Sequence, residues 1–577
     1  MISVLIPTFN RRNVLERTLP TLFQQDFPAD RFEIVVVVDG SSDGTMEFLR
    51  KLASPCSIHI VEQPHQGAAA ARNAGLKRVR GELVLFLDDD ILCPPNLLSL
   101  HASAHHGQSR RVVFGPIHTS ITSAATLATD WTKNASLAST EMLNKGLTPG
   151  IGNLRLDPNS SISIDFLSRV GTFDENFESA LETAEIALRL QSAGAEFFYL
   201  RNATVDHVFA KTSAQLARED AFCYGRKDVL LSRKHPQYRP ESVVGRVAEG
   251  GVGRSALRRV AATFAAFDRA IALPLWLCER FRQFTPFRRL GVRLLGQRKA
   301  VNFWRGARAE AGSWRTLEQE FGKALPVLMY HHIGPATPGT YPELTVSPRR
   351  FEQHLQWLIQ LGYRGITPSK WQGWRTAGHS LPDKPVLLTF DDAYADTATY
   401  AFPLLKRYGF PAAVFVVASE VGGTNRWDQN VGSYEHRVMD LGQIVSWVTE
   451  GIAFGAHSLT HADLTAIPEA DVREETVRSG ELLAGLIGAP VSTFAYPYGF
   501  FNANAEAAAR SRYDLAFSTE EGLNTLATNP HRLRRTMVLP DDGYIDFVSR
   551  LRLGYSPRRR VIAGLARLRR VWMRRGG

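Results

Sequence analysis

Cysteine is scarce in these 577 residues: there are four, Cys56, Cys93, Cys223 and Cys278, and no CxxC pair among them. That spacing excludes a disulfide framework and a thiolate zinc site, and it fits a reducing compartment. The start of the chain lacks a basic leader, an apolar run of signal-peptide length and a small-residue cleavage site: Met1 leads into "ISVLIP" and then the polar "TFNRRN". The expectation is a first domain that begins in the cytosol. Internal repeats and long low-complexity tracts are absent. The one apolar stretch of span length, "VAATFAAFDRAIALPLWLC" (260–278), carries Asp268 and Arg269 in its middle and is broken by Pro274. Charges at mid-membrane are expensive, so an interfacial or core-packed amphipathic helix is expected there. Acid is nearly missing from two segments: residues 254–300 hold eleven Arg/Lys against two Asp/Glu, and 550–577 hold ten Arg and no acid. The net charge of +11 therefore sits on two basic segments attached to acidic domains. Such segments suit an anionic membrane surface. Nucleic acid is set aside, because the aromatic interleaving of nucleic-acid surfaces is absent.

What is present is ordinary globular material, 44% apolar and 22% charged, in a chain too long for one core. Residues 1–235 alternate buried-type strands, "ISVLIP", "EIVVVVD" (33–39), "SIHIVE" (57–62) and "LVLFLD" (83–88), with helical patterns, the βαβ signature of a mainly parallel sheet. Residues 236–322 read as a basic helical linker that meets the membrane interface. A second α/β pattern occupies 323–545, with strands at "PVLMYHHI" (326–333), "PVLLTFDD" (385–392), "AAVFVV" (412–417), "IAFGAH" (452–457) and "STFAYP" (492–497). A basic amphipathic tail is expected at 546–577.

The chemistry gathers where strands end. Five apolar residues, Leu83 to Leu87, run into Asp88, Asp89 and Asp90. Open parallel sheets bind ligands at the carboxyl ends of their strands, and clustered carboxylates there suit Mg²⁺ or Mn²⁺ and the diphosphate such a cation holds. Asp39, at the end of "VVVVD" before the turn formers "GSSDG", could accept hydrogen bonds from a base or ribose. Either stretch alone also reads as a solvated turn.

Taken together, "VLIPTFNRRNVLERTLPTLFQQ", "EIVVVVDGSSDGT", "GAAAARNAGLKRVRGELVLFLDDD" and "NSSISIDFLSRVGTFDENF" resemble the family-2 glycosyltransferases over roughly residues 1–210. The resemblance implies a nucleotide-diphospho-sugar-transferase (GT-A-like) fold and an inverting transfer. It assigns Asp39 to the nucleobase, Asp88 and Asp90 to metal and sugar-diphosphate, and Pro7, Thr8 and Asn10 to the opening of the nucleotide pocket. The family's Glu-Asp pair, whose Asp is the general base, falls on Glu182 and Thr183 in "SALETAEIALRLQSAG". Threonine cannot be that base. Glu182 or Glu185 can substitute, or the domain is a sugar-binding or scaffolding module. His207, in "ATVDHVF", is a further candidate to face the metal.

The apolar-then-acidic pattern recurs at Asp391 and Asp392, and sixty-five residues later comes "AHSLTH". His457 and His461 are four apart, so on a helical turn they share a face and could grip one metal. One Asp and two His leave positions open for water, as hydrolytic sites require. With "FAYPYG" this resembles the polysaccharide deacetylases of the NodB-homology family over about residues 325–540, which implies a distorted (β/α) barrel. The resemblance makes Asp391 the base, Asp392, His457 and His461 the ligands of Zn²⁺ or a similar divalent metal, and Pro497, Tyr498 and Gly499 the groove wall, with the backbone N–H near Tyr498 at the oxyanion. An Arg that many members place two residues before the Pro to orient the base is Ala495 here. The family's late acid-supplying His has no clean counterpart: His531 lies in the wrong context, and His331 is an alternative. The combined expectation is a bifunctional α/β carbohydrate enzyme. It would use a nucleotide-diphospho-sugar donor and a glycan or lipid-linked sugar acceptor, in the cytoplasm and peripheral to the inner face of the membrane.

Overall fold

The computed structural model describes residues 1–120, 125–145, 156, 158–178, 180–208, 211–249, 251–335, 342–431 and 435–561. The chain forms two compact units, one of Met1–Val244 with Ala256–Leu317, the other of Gly245–Ser255 with Glu318 onward.

In the first unit β1 (Ile2–Thr8), β2 (Phe32–Asp39), β3 (Ser57–Gln63) and β4 (Leu83–Phe86) are parallel, as the βαβ pattern requires. All eight residues of β2 are buried, which explains an unbroken valine run: a central parallel strand is covered on both faces. The helix Ala68–Leu76 is built of Ala and Gly because it lies against β1 and β2. A Cβ on Gly75 would sit 2.1 Å from Leu5 Cδ1. β5 (Ile91–Leu92), β7 (Ile117–Ser120) and β10 (Val205–Val208) make a small second sheet. β6 (Arg111–Phe114), β8 (Ser160–Ser163) and β9 (Glu196–Tyr199) extend the main one in the order β3-β2-β1-β4-β8-β6-β9, with β8 antiparallel to both neighbours.

The stretch read as a linker folds with this unit from Ala256 to Leu317. Asp268, which interrupts the apolar run, is buried and takes Arg298 in two bonds of 2.8 and 3.1 Å, with Asn302 at 2.7 Å. Helix Thr285–Ala311 crosses helix Ala221–Lys234 with backbones in contact: a Cβ on Gly225 would meet Phe303 O at 1.9 Å, and one on Gly306 would meet Phe222 O at 1.9 Å. A charge every few residues reads as solvated surface in the sequence, but here part of it is spent on buried ion pairs.

A polar knot sits behind the main sheet. His101 bonds Ser161 Oγ at 2.7 Å and Asn159 Oδ1 at 3.0 Å, and His105 reaches the same Ser161 Oγ at 2.8 Å. Burial pushes both imidazoles down to about 4. Both stay neutral in the fold, while the unfolded chain binds their protons below about 6.5. Stability is therefore full at neutral pH and falls as pH drops from about 6.5 to about 4, by about 3 kcal/mol from His101 alone. Denaturant unfolding of the wild type against His101→Gln, measured at pH 7 and 4.5, should show the wild type losing more across that interval. An equal loss would remove His101 from the account.

The second unit is a parallel sheet in the order β19-β18-β17-β16-β15-β11-β20, the curled half-barrel form of the distorted (β/α) barrel. Its strands are β11 (Val327–Tyr330), β14 (Arg364–Gly365, beside β15), β15 (Pro385–Phe390), β16 (Ala412–Val416), β17 (Ala453–Ala456), β18 (Thr493–Ala495), β19 (Leu515–Phe517) and β20 (Thr536–Met537), while β12 (His332–Ile333) and β13 (Thr345–Val346) pair separately. The core lies between sheet and helices around Phe351, Phe390, Phe402, Val414 and Phe494, all fully buried. The start of the expected tail also belongs here. Phe547 and Leu551 of helix Tyr544–Leu553 are buried, Arg550 pairs with Asp542 at 2.7 Å and Arg558 with Asp546 at 3.0 Å. Residues 562–577 of that tail lie outside the described residues.

Candidate active sites

In the first unit Asp39 ends β2 and the three aspartates follow β4, so all four come to the carboxyl edge of the sheet. They line a cavity of about 1370 Å³ with Pro7, Thr8, Arg72 and Glu182. The positive charge that the aspartates face is Arg11, Arg72 and His207. Arg11 Nη1 bonds Asp89 at 3.1 Å and Asp90 at 2.5 Å. Arg72 spans Asp88 Oδ1 at 3.1 Å and Glu182 Oε1 at 2.7 Å, and His207 Nε2 lies 3.1 Å from Asp90 Oδ1. Burial pushes the Asp89 carboxyl up to about 7 despite Arg11. Asp90 is also disfavoured as an anion by burial, but His207 and Arg11 bring it below the ordinary range. Asp88 keeps a side-chain exposure of 36% against 8% for Asp89 and Asp90, so it is the most open of the three aspartates. Among the described residues these aspartates form no preassembled cation cluster: Asp88 bonds Arg72, and Asp90 is held by Arg11 and His207.

The remaining expected residues are placed as follows. Asp39 accepts from Gln63 Nε2 (2.7 Å), Gln66 N and Gly67 N (both 2.9 Å), and His65 Nδ1 lies 2.9 Å away. Its carboxylate thus secures the 63–67 turn, and His65 stacks on Phe9 with ring centroids 3.9 Å apart. Asn10 does not line the cavity. Its Oδ1 accepts from Ser42 N at 2.7 Å and fastens the loop after β1 to the one after β2. Glu182 begins helix Glu182–Ser192 and faces the cavity, whereas Glu185 points into an ion cluster away from it: Arg189 at 2.8 Å, Lys234 at 2.7 Å and His235 at 3.1 Å. Burial would raise the Glu185 carboxyl, but these partners hold it down to about 2. Thr183 contributes its carbonyl to Leu156 N at 3.2 Å. Arg11 and Arg72 were missed by sequence reasoning. The available signal was an arginine inside an otherwise all-alanine helix start, "AAAARN".

In the second unit Asp391 and Asp392 follow β15, His457 follows β17, and Tyr498 follows β18. Asp392, His457 and His461 form the one cluster of three ligand atoms within 4.8 Å of one another among the described residues, all three buried. The two histidines are not on a helical turn as their spacing suggested. They flank a tight loop in which Ser458 (φ 62°) and His461 (φ 66°) are left-handed, a conformation costly without glycine. The loop is held by Glu475, which accepts from Leu459 N and Thr460 N at 2.9 Å, and by Ser458 Oγ, which accepts from His461 N at 2.8 Å.

The donor set fits a metal. His457 uses Nδ1 on Ala495 O at 2.8 Å, which aims Nε2 at Asp392 Oδ1, 3.6 Å away, and His461 Nε2 lies 3.4 Å from the same oxygen. Among the described residues Asp392 Oδ1 is buried with no hydrogen-bond partner, a costly arrangement that a cation at Asp392 relieves. Burial, with Asp391 adjacent, pushes the Asp392 carboxyl well up, and burial keeps both imidazoles neutral. Neutral His and a carboxylate awaiting a counter-charge are the donor set that divalent zinc takes.

Asp391 is outside that cluster. Arg535, on the residue before β20, grips it with both guanidinium arms at 2.5 and 2.8 Å. Burial would raise the Asp391 carboxyl, but Arg535 holds it at about 2. Arg535 thus supplies the guanidinium that position 495 lacks. His331 stands close enough for Asp391, Arg535 and His457 to influence it electrostatically, and burial pushes it down to about 4. His531 Nε2 donates to Tyr513 O, 2.9 Å away, in the packing of the sheet's far edge. Tyr498 is left-handed (φ 56°) and half-exposed, with its ring edge on His461 at 4.6 Å. Trp427 stacks on the other side of His461 at 5.0 Å.

An acid-lined cavity in one unit and a buried Asp-His-His cluster beside an Arg-held Asp in the other are two candidate centres, one in each unit. Residues 3–148 match the model of glycosyl transferase family 2 and residues 378–515 that of the polysaccharide deacetylases. The chain carries a family-2 glycosyltransferase domain and a polysaccharide deacetylase domain. A Bacillus subtilis protein named as a polysaccharide deacetylase, YxkH, is 27% identical over 232 residues, 40% of this chain and 76% of that one. Validoxylamine A glucosyltransferase of Streptomyces hygroscopicus subsp. jinggangensis is 38% identical over 118 residues, 20% of this chain and only 28% of that one. The solved Streptococcus pyogenes deacetylase PplD, in complex with acetate, is 28% identical with a TM-score of 0.34, covering 38% of this chain and 94% of that one.

Proposed function

We propose that the chain works as a bifunctional enzyme of cell-surface glycan or glycolipid assembly. The first unit transfers a sugar with inversion from a nucleotide-diphospho-sugar, and the second hydrolyses the N-acetyl group of an amino sugar. The observation that carries the reading is the buried Asp392-His457-His461 cluster with a separately held carboxylate, Asp391, beside it.

In the transferase, Glu182 is the base that takes the acceptor hydroxyl's proton. Arg72 holds its carboxylate at 2.7 Å and links it to Asp88, so base and diphosphate end share one anchor. Mg²⁺ or Mn²⁺ at Asp88 and Asp90 would neutralise the leaving diphosphate. The nucleobase lies toward Asp39 and the Phe9–His65 stack, where half-exposed His65 is the partner Asp39 can exchange.

In the deacetylase, Asp392, His457 and His461 would hold Zn²⁺ or a similar ion, which would supply polarisation of the acetamide carbonyl and acidification of water. Asp391 takes the proton of the attacking water. Its carboxylate is ready for that because Arg535 keeps it ionised. The backbone N–H near Tyr498 faces the oxyanion. As the C–N bond breaks, the proton that Asp391 took from the water is relayed through the neutral imidazole of His331 to the departing amine, and acetate leaves. Nucleotide sugars are made in the cytoplasm, so we place both reactions there, at the inner face of the membrane, on an acceptor that is a glycan or lipid-linked sugar. No single described helix is long and apolar enough to cross a membrane.

Two variants test the reading. Glu182→Gln should lower transfer by about 10²–10⁴-fold and leave acetate release intact, and His457→Ala should do the reverse. Donor consumption and acetate release are followed by mass spectrometry, with melting curves as the check on folding. Loss of both activities from either folded variant would overturn the two-centre reading. Unchanged transfer in Glu182→Gln would move the base elsewhere.

A further inference from the structure

Helix Ala265–Arg280 is two-faced. One face buries Asp268, Leu275 and Cys278. The other leaves Leu273 and Trp276 exposed at 66% and 58%, and the surface continues through Phe264, Phe284, Phe287 and Leu290 around the turn into helix Thr285–Ala311, all of them exposed. Bulky apolar side chains this dense on a surface mark an interaction site. The charge among them has one sign. Arg269, Arg280, Arg288 and Arg289 are exposed. The two acids of the stretch are turned inward, Asp268 to Arg298, and Glu279 to Leu127 N at 2.9 Å and Ser213 Oγ at 2.7 Å. Exposed Trp, Phe and Leu interspersed with exposed Arg, the local acids turned inward, is the composition of an element lying in the plane of an anionic interface.

We propose that this surface, spanning Phe264 to Leu290, seats the transferase unit on an anionic bilayer, the apolar side chains entering the headgroup region and the arginines contacting lipid phosphate. A second feature gives the seat a use. The same helix Thr285–Ala311 continues to Lys299, Ala300 and Phe303, which line the transferase cavity. Nine residues at 1.5 Å each put Lys299 about 14 Å along the helix from Leu290, so an acceptor sugar raised on a lipid phosphate reaches the cavity while its anchor stays in the bilayer. The inference rests on the proposed function only for the side of the membrane. It needs no catalytic turnover to test, so its failure would leave the transferase reading standing.

The full chain should co-float with vesicles of equal parts phosphatidylglycerol and phosphatidylcholine and bind pure phosphatidylcholine at least tenfold more weakly. Trp276→Ser with Phe284→Ser should cut binding to the anionic vesicles at least tenfold at an unchanged melting temperature, and Arg288→Gln with Arg289→Gln should cut it severalfold and blunt its salt dependence. Unchanged binding in both double variants would overturn the proposal. So would a concentration-dependent dimer that the Trp276/Phe284 variant abolishes, which would make the surface a contact between copies. Resistance to alkaline carbonate extraction would overturn it too, because helices Ser255–Thr263 and Ala265–Arg280, bent by 88°, would then be inserted and not seated.

Discussion

Asparagine in place of Asp391 should leave the bound metal close to stoichiometric and lower deacetylation by about 10²–10⁴-fold, the usual contribution of a positioned base. The separation follows from geometry. Asp392, His457 and His461 converge on one point, while both oxygens of Asp391 are turned to Arg535. An amide at 391 has one acceptor oxygen, so it keeps half of the Arg535 grip but cannot take a proton from water. Metal content by mass spectrometry and acetate release on the same preparation give the two readouts. A metal loss equal to that of His461→Ala would make Asp391 a ligand and collapse the division of labour between the two adjacent aspartates.

The features legible in the sequence were those with a local period or a fixed spacing. Strand ends followed by carboxylates pointed to both candidate sites, because an apolar run that stops at an acid marks the point where a buried strand meets solvent or ligand. "AHSLTH" was read as a metal pair, but with the wrong local conformation. Four-residue spacing is helical only if each residue between stays right-handed, and Ser458 does not. The counter-charges were not legible. Arg11 meets Asp89 and Asp90 from 78 and 79 residues away, and nothing in "TFNRRN" says which basic residue turns inward. Glu182 and Glu185 are three apart at the start of one helix, close enough in sequence to be interchangeable. The structure separates them by their partners, a bridge to Asp88 for one and the Arg189-Lys234-His235 cluster for the other. Residues 236–322 read as a linker because they are Arg-rich and punctuated by Gly and Pro, whereas Ala256–Leu317 belong to the first unit. Asp268 ties two helices of the segment together through Arg298, and Glu279, bonded to Leu127 N and Ser213 Oγ, with Arg282 on Asp130, fastens the segment to the rest of its unit.

Arg535 is the largest such omission, and its replacement by methionine should be as damaging as the loss of Asp391 itself. Its side chain is fully buried, donates through Nε to Ser518 O at 2.9 Å and lies over the Phe415 ring at 5.5 Å. Methionine fills much of that volume but leaves a buried carboxylate beside Asp392 with no cation. Two consequences follow. Removing one member of a buried pair costs about 3–5 kcal/mol, which denaturant unfolding of the full chain should show in the transition of the second unit. The Asp391 carboxyl, freed from Arg535, should move up under burial and its neighbour, so that at neutral pH it is protonated and cannot act as a base. The deacetylation kcat should then fall by about 10²-fold or more with KM little changed, because Arg535 acts through Asp391 and is a positioning residue. A double-mutant cycle separates this from mere support of the fold. If Arg535 acts only through Asp391, then Arg535→Met adds little to the turnover loss of Asp391→Asn, whereas independent roles would make the two losses multiply. Multiplying losses, or a methionine variant with wild-type turnover, would remove Arg535 from the mechanism and leave position 495 with no substitute guanidinium.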